Sequence, residues 1–484
     1  MSSATPASPA APGRSKIVIA VLASCGIAVS LMQTLVVPLL PEFPRLLGTT
    51  PSNAGWLVTA SLVAGSVCAP VAGRLGDMYG KRRMLLISLA IMGVGSAIGA
   101  VSDDFAAVLV GRVLQGAAVG VVPLGISIMR DELPEHQVGS GVALMSATLG
   151  IGGAVGLPVT GVVAERLNWH WLFAGAAVFA IIEMVLILRV VPESPLRSGG
   201  RFDFLGAVGL SAALTCLLLA ISKGNEWGWA GGVILGLVAA AAVLFVVWGL
   251  YELRVASPLV DLRVSARPTV LLTNIASVLV GIAMFAGFLV GSQIIQAPAA
   301  TGYGFGLSLV VTGLVLLPIG AAMGVFSPVS ARISRRRGPR TALILGGAVL
   351  MLGNFAGSLL HAPLPLVVLN LTVGSIGGAL SYGALPTLIM QAVPQTETAA
   401  ANSLNTLARS IGTASCSAIV VALTTGSIVQ VSGVHYPSVF AYSSVFLVAS
   451  GAALLAAVIA AATPSPRRYA PVPARVATPV GRSR

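Results

Sequence analysis

Fourteen apolar runs of roughly twenty residues or more follow one another along this chain and confine its charge to the short segments between them. About twenty apolar residues is the length a helix needs to cross the hydrocarbon of a bilayer. Charged residues make up only 9% of the 484 residues and hydrophobic ones 56%, against about 25% charged in an ordinary soluble domain. Lipid offers no hydrogen bonds to a backbone, so only helices or closed barrels can span it. Barrel strands would read as alternating segments of about ten residues, and these runs neither alternate nor stop that early. The pattern predicts an all-α polytopic membrane protein with 14 transmembrane helices.

Charge then sets the orientation. With the N-terminus in the cytoplasm, 24 of the 28 lysines and arginines fall in the terminal tails and the even-numbered connections, counting Arg189 and Arg409 at span edges. Arg45, Arg166 and Lys223 fall in outer connections and Arg112 lies within a span. An excess of basic residues marks the cytoplasmic side, so both termini are expected there, in the cell membrane. The net charge of +13 follows from this distribution. It is not gathered on the single basic, aromatic-lined face that a nucleic-acid partner requires. Cys25, Cys68, Cys216 and Cys416 all lie in apolar runs, and His136, His170, His361 and His435 are scattered. Neither set has a metal-ligand spacing, and no cofactor is expected.

A charged segment between the second and third runs, Ala69 to Leu85, returns in weaker form at Ser327 to Leu343. Pro70, Val71, Arg74, Gly80 and Arg82 fall on Pro328, Val329, Arg332, Gly338 and Arg340 at a constant offset of 258 residues. Two six-span halves alone would repeat sooner, so the offset leaves room for two extra spans between them. The expected organisation is a cytoplasmic tail at 1–16, a six-helix half at 17–191 and a two-helix insert at 192–268. A second six-helix half at 269–462 and a basic tail at 463–484 complete it. Parallel half-repeats of this kind place a substrate site between them near the midplane. The two copies differ in one respect: Asp77 of the first meets Arg335 in the second.

Three motifs carry a resemblance. Gly73-Arg-Leu-Gly-Asp77-Met-Tyr-Gly80-Lys-Arg82-Arg83 resembles the loop signature of the major facilitator superfamily, with every fixed position present. The resemblance implies that Asp77, with Gly73, Gly80 and Arg82, forms a gate that stabilises an outward-open state. A carboxylate at a helix end can pair with arginines or cap another helix's positive N-terminus. In the fourth span, Arg112-Val-Leu-Gln115-Gly116 resembles the family's R-x-x-Q-G motif, which implies a role for Arg112 and Gln115 in proton transfer. An arginine within the membrane is costly unless it finds partners, and is a functional candidate on that ground alone. In the fifth span, Gly152, Gly156, Pro158 and Gly161 are similar to the signature of the superfamily's antiporters, with the proline one place late and Thr160 in place of a glycine. Together they resemble the fourteen-helix drug:proton antiporter branch, arranged as six, two and six helices.

One departure concerns coupling. Where that branch commonly has an acid in the first span, this chain reads Leu31-Met32-Gln33-Thr34, so Met32 takes its place. Glu183, in a sixth span expected at the edge of the bundle, is then the remaining mid-span acid, with a structural role favoured over proton carriage. Asp77 acting with Arg112 is the other way to link protonation to gating.

By the same resemblance the first, fourth, ninth and twelfth spans line the cavity, which nominates Gln33, Asn274, Phe285, Gln293, Asn370 and Tyr382. A mostly apolar cleft with few polar groups suits hydrophobic or cationic drug-like molecules. The sequence contains no phosphate-binding GxxxxGK[ST] loop, so the driving force expected is a proton gradient and not ATP. The expectation is a monomeric, proton-coupled exporter. An uptake symporter or facilitator of the same fold is the alternative. A membrane-embedded enzyme or sensor would need a clustered catalytic constellation or a sizeable soluble segment, and neither is present in the sequence.

Overall fold

The computed structural model describes residues 12–464, apart from 37, 38, 41, 195, 360–362 and 432. The tails expected at the two ends lie, over 1–11 and 465–484, outside the described residues. Fourteen long helices are present among the described residues, all apolar enough to cross a membrane. They are α1 (Pro12–Thr34), α2 (Pro51–Tyr79), α3 (Lys81–Val101), α4 (Phe105–Glu132), α5 (Glu135–Arg166), α6 (His170–Val190) and α7 (Phe204–Trp227). After them come α8 (Gly232–Glu252), α9 (Pro268–Gln296), α10 (Leu309–Arg337), α11 (Pro339–Gly357), α12 (Leu364–Ala392), α13 (Thr398–Gly426) and α14 (Val439–Ala462).

Local chemistry sets several of the ends. Side chains of Asp104, Asp203, Ser308 and Ser438 accept backbone N–H groups at the starts of α4, α7, α10 and α14, replacing partners that a first helical turn lacks. Gly80 and Gly338 separate α2 from α3 and α10 from α11 with φ of 117° and 88°. The repeated loop is thus repeated in backbone conformation as well as in sequence, at a value of φ that favours glycine.

The apolar core is divided. One cluster joins α1 to α6 through residues such as Leu22, Leu57, Leu89, Leu124 and Phe173. Two others join α9 to α14, around Val290 and Leu316 and around Val280 and Leu385. A separate cluster seats Ala207, Leu210 and Leu214 of α7 against Leu407 of α13 and Val67 and Val71 of α2. The inserted helix α7 therefore lies along the seam between the two halves. Its partner α8 turns Val243, Val246, Val247 and Leu250 outward, as a helix facing lipid does.

We call the end of the bundle that carries Lys81–Arg83 and Arg335–Arg340 the basic face. The last turn of α14 is there too, since Arg340 donates to the Ala461 carbonyl. At the opposite face, between α13 and α14, Ile428–Val431 and Val434–Pro437 pair as an antiparallel hairpin, which the all-α reading did not contain.

Two basic residues change place. Arg409, assigned from sequence to a span edge, lies well inside α13, because the helix begins four residues earlier than expected, at Thr398 and not at 402. Lys223, assigned to an outer connection, is buried in the last turns of α7, which runs on to Trp227. Its ammonium group sits 2.6 Å from Glu226 and 4.8 Å from the centre of the Trp56 ring. Paired charge and a covering aromatic face make it possible to hold a lysine there.

Candidate functional site

At the basic face, the last turns of α2 run against the start of α13. Gly73 lets them meet, for a Cβ at that position would lie 2.7 Å from the Ala399 carbonyl oxygen and overlap Ser403. One turn further on, the Asp77 carboxylate accepts the backbone N–H of Ala399 at 3.2 Å and of Ala400 at 2.8 Å. These are among the unpaired N–H groups of the first turn of α13, where the helix dipole is also positive. Of the two partners open to this acid on sequence grounds, arginines or a helix N-terminus, the structure gives it the second. Arg130 of α4 adds to the junction by donating to Thr398 Oγ1 at 2.5 Å and to the Val393 carbonyl at 3.4 Å. Arg335 of α10 donates to the His136 carbonyl at 3.2 Å. Each of these contacts crosses from one half to the other.

Beneath this inter-half junction, the latch, is a buried charge network. Lys81 is fully buried, 2.6 Å from Asp131 and 3.7 Å from Asp77. Asp131 also accepts from Ser194 Oγ at 2.6 Å. The Glu193 carboxylate accepts the first N–H groups of α3, from Arg82 and Arg83, at 3.2 Å each. Arg82 itself donates to the Leu188 carbonyl of α6 at 2.6 Å, so it ties the first half together and does not cross the seam. Asp131 and Glu193 were not singled out from sequence. Asp131 directly follows Arg130, and Glu193 lies in the Pro-Glu-Ser-Pro stretch after α6; neither pattern stands out without a partner in view.

Arg112 is buried deep in the first half. Its guanidinium donates to the Leu57 carbonyl at 3.0 Å, the Met32 carbonyl at 2.8 Å and Gln115 Oε1 at 2.7 Å. Gln115 in turn donates to Ser96 Oγ at 2.9 Å. The residue replacing the usual first-span acid is thus a direct neighbour of Arg112, and backbone carbonyls take the place of a carboxylate. Asp77 and Arg112, considered together from sequence as a link between protonation and gating, have separate partners. Arg112 meets α2 at Leu57, twenty residues before Asp77, which is about 30 Å along a helix.

Glu183 is buried on the inward side of α6, where Cys25 Sγ of α1 donates to it at 3.0 Å. It joins two helices of one half and touches neither the latch nor Arg112. Cys25 therefore does more than fill space. On α5 the four residues divide between two faces: Gly152 and Gly156 pack on Ser30 and Thr34 of α1, while Pro158 meets Gly313 and Gly161 meets Val310, both of α10.

Between the halves lies a cavity of about 220 Å³. Its walls come from α1, α2, α4, α5 and α9 to α14, from mid-helix towards the face opposite the latch. Gln33, Phe285, Asn370 and Tyr382 line it, as expected from sequence. Asn274 and Gln293 are not among the lining residues. Asn274 accepts from Asn405 Nδ2 at 3.0 Å nearer the basic face, and Gln293 lies two turns beyond Phe285, about 12 Å further along α9. The wall also holds Ser30, Thr34, Asn354, Thr406, Ser410 and Thr413, and one charged residue, Arg409. Its guanidinium carbon stands 4.9 Å from the centre of the Tyr382 ring. The cavity charge is therefore positive, which opposes the cationic half of the substrate expectation. Counting Arg409 with the cytoplasmic charges, at a span edge, is what hid it.

Comparison with known proteins agrees with this architecture. The sequence profile of the Major Facilitator Superfamily matches residues 22–417. The uncharacterized MFS-type transporter YcnB of Bacillus subtilis (strain 168) is 25% identical over 462 residues, covering 94% of this chain and 96% of its own. The tetracenomycin C resistance and export protein of Streptomyces glaucescens is 28% identical over 320 residues, covering 66% of this chain and 58% of its own. The crystal structure of the human organic anion transporter MFSD10 (TETRAN) superposes with a TM-score of 0.65 at 18% identity, over 93% of this chain and 100% of that one; at that identity the likeness is one of fold. The chain is a multi-pass membrane transporter, not an enzyme, and it belongs to the Major Facilitator Superfamily.

Proposed function

We propose that this protein exports amphiphilic, drug-like molecules across the cell membrane by alternating access, with inward proton flow as the driving force. The observation that carries the reading is the latch. Asp77 of one half caps the first turn of α13 in the other, and the cavity lies beyond it, towards the opposite face. With the basic face cytoplasmic, as the distribution of arginine supports, this is a conformation closed to the cytoplasm. Release of Asp77 from α13 would let the halves rock and open the cytoplasmic side. The names of relatives, among them a tetracenomycin C resistance and export protein and a multidrug resistance protein of Bacillus subtilis, support export of drug-like compounds. The protein works as a monomer in this reading, since each half completes the cavity of the other within one chain.

The experiment is flux of a fluorescent amphiphile in vesicles reconstituted with the protein under an imposed pH gradient. Uphill movement that a protonophore abolishes is expected, and movement indifferent to the gradient would overturn the coupling. One observation favours a second reading, that of a facilitator of the same fold. Arg112 is satisfied by two carbonyls and Gln115, so no carboxylate partner is there to exchange a proton with it. Downhill flux of equal rate in both directions would select that reading.

A further inference from the structure

Arg112 and Arg409 are both buried at mid-bundle, and their donors are used differently. Arg112 directs its guanidinium at two carbonyls and an amide oxygen, all within 3.0 Å. Arg409 is as deeply placed, with 6% of its surface exposed, yet its hydrogen bond to Thr406 Oγ1 is long, at 3.4 Å. Its other contact is the face of Tyr382. No ion pair among the described residues includes it, and no carboxylate lines the cavity that it faces. A buried guanidinium in an apolar wall is costly without an acceptor. Most of its donors therefore remain for whatever enters the cavity.

Three of the polar groups around it are already committed. Ser410 and Thr413 donate to carbonyls of their own helix at 3.1 and 2.9 Å. Asn354 commits its amide to the carbonyls of Ala283 and Leu350 at 3.2 and 3.0 Å. On the α9 side the wall is aromatic, with the rings of Phe285 and Phe288 6.4 Å apart and inclined by 29°. The site thus offers one positively charged, planar fork beside a flat apolar surface.

We propose that Arg409 is a substrate-binding residue and that the transported molecule is an organic acid, a compact aromatic or alicyclic body bearing one carboxylate. A guanidinium binds a carboxylate through two parallel hydrogen bonds, and Tyr382 holds its plane in position. The proposal rests on the transport reading above only in taking this cavity as the place where the cargo sits.

Binding and flux are measured separately to test it. The full-length protein in lipid nanodiscs is titrated with 1-naphthylacetate, 1-naphthylacetamide and 2-(1-naphthyl)ethylamine, three probes of similar shape whose charge is negative, zero and positive at neutral pH. Binding is read by calorimetry. The acid is expected to bind about tenfold tighter than the amide, the scale of one charge-assisted hydrogen bond, and the amine weakest. In R409Q that margin should vanish while amide binding persists, which also shows that the variant is folded. Should R409Q not fold, the order of the three probes on the unaltered protein decides alone. Equal binding of acid and amide, tightest binding of the amine, no binding of the acid, or an acid preference that survives R409Q would each overturn the site. Export is read as gradient-driven flux in vesicles, so acid binding without uphill flux removes the export reading and leaves the site standing. Uphill flux without charge preference does the reverse.

Discussion

Asp77 and Ala400, more than three hundred residues apart in sequence, meet at 2.8 Å across the seam between the two halves of this transporter. The carboxylate takes two N–H groups of the first turn of α13, so one contact both caps the start of that helix and joins the two halves. Hydrogen bonds to a charged group contribute about 1.5–3 kcal/mol each. Losing that much moves a two-state equilibrium by a factor of ten or more. D77N leaves one amide oxygen and no charge. The variant should insert normally, open more often on the basic face and lose at least about tenfold in flux. Thiol labelling of a cysteine placed at Ser403, behind the latch, checks the first effect and vesicle flux the second; unchanged labelling and flux would remove the latch from the mechanism.

The repeated loop makes a second comparison possible. Gly80 and Gly338 share a positive φ, so alanine strains both, by about 1–3 kcal/mol. Only at Gly80 does a Cβ also meet another group, the Glu193 carboxylate at 2.7 Å; around Gly338 nothing lies within 4 Å. G80A should therefore lower thermal stability clearly more than G338A, and should do so less in an E193A background. Melting curves of the purified variants give the answer.

Met32 and Arg112 provide the third. M32D puts a carboxylate beside a guanidinium that now relies on carbonyl oxygens. Flux in M32D should depend on external pH more steeply than in the unaltered protein, because protonation of the new acid would break its pairing with Arg112. R112A, in contrast, takes a buried donor away from two carbonyls and Gln115, and a loss of roughly 2–5 kcal/mol in stability is expected. Parallel pH profiles for M32D and the parent would show that this pair takes no part in coupling.

Glu183 provides the fourth, through a small expected effect. Its contact is the Cys25 thiol, at 3.0 Å, inside the first half, away from the cavity wall and the latch. E183Q retains an acceptor for that thiol, so gradient-driven flux should stay within about twofold, less than the loss of a neutral hydrogen bond would cost. Abolished flux in a folded variant would make Glu183 the proton carrier after all.

The sequence by itself determined the membrane, the number of spans and the family. Apolar length, the recurrence of Gly80 as Gly338 and the spacing of Gly73, Asp77 and Arg112 are properties of a chain in order, and lipid forces each apolar run into a helix of its own. It also brought Gln33, Phe285, Asn370 and Tyr382 to attention, because polar and aromatic groups are conspicuous in apolar helices. Partners were decided only by the tertiary structure. Asp77 could have met an arginine, and it met the start of α13. Arg409 counts as a span-edge charge in sequence because a difference of four residues in where α13 begins cannot be seen in a run of small residues. Asn274 was placed in the cavity and turned to Asn405 instead, since a helix's face is set by what packs against it, and neighbours in this bundle come from sequence positions more than a hundred residues away. A charge in a loop and a charge in a cavity can have the same neighbours in sequence; burial and the geometry of the available acceptors tell Arg82 from Arg409.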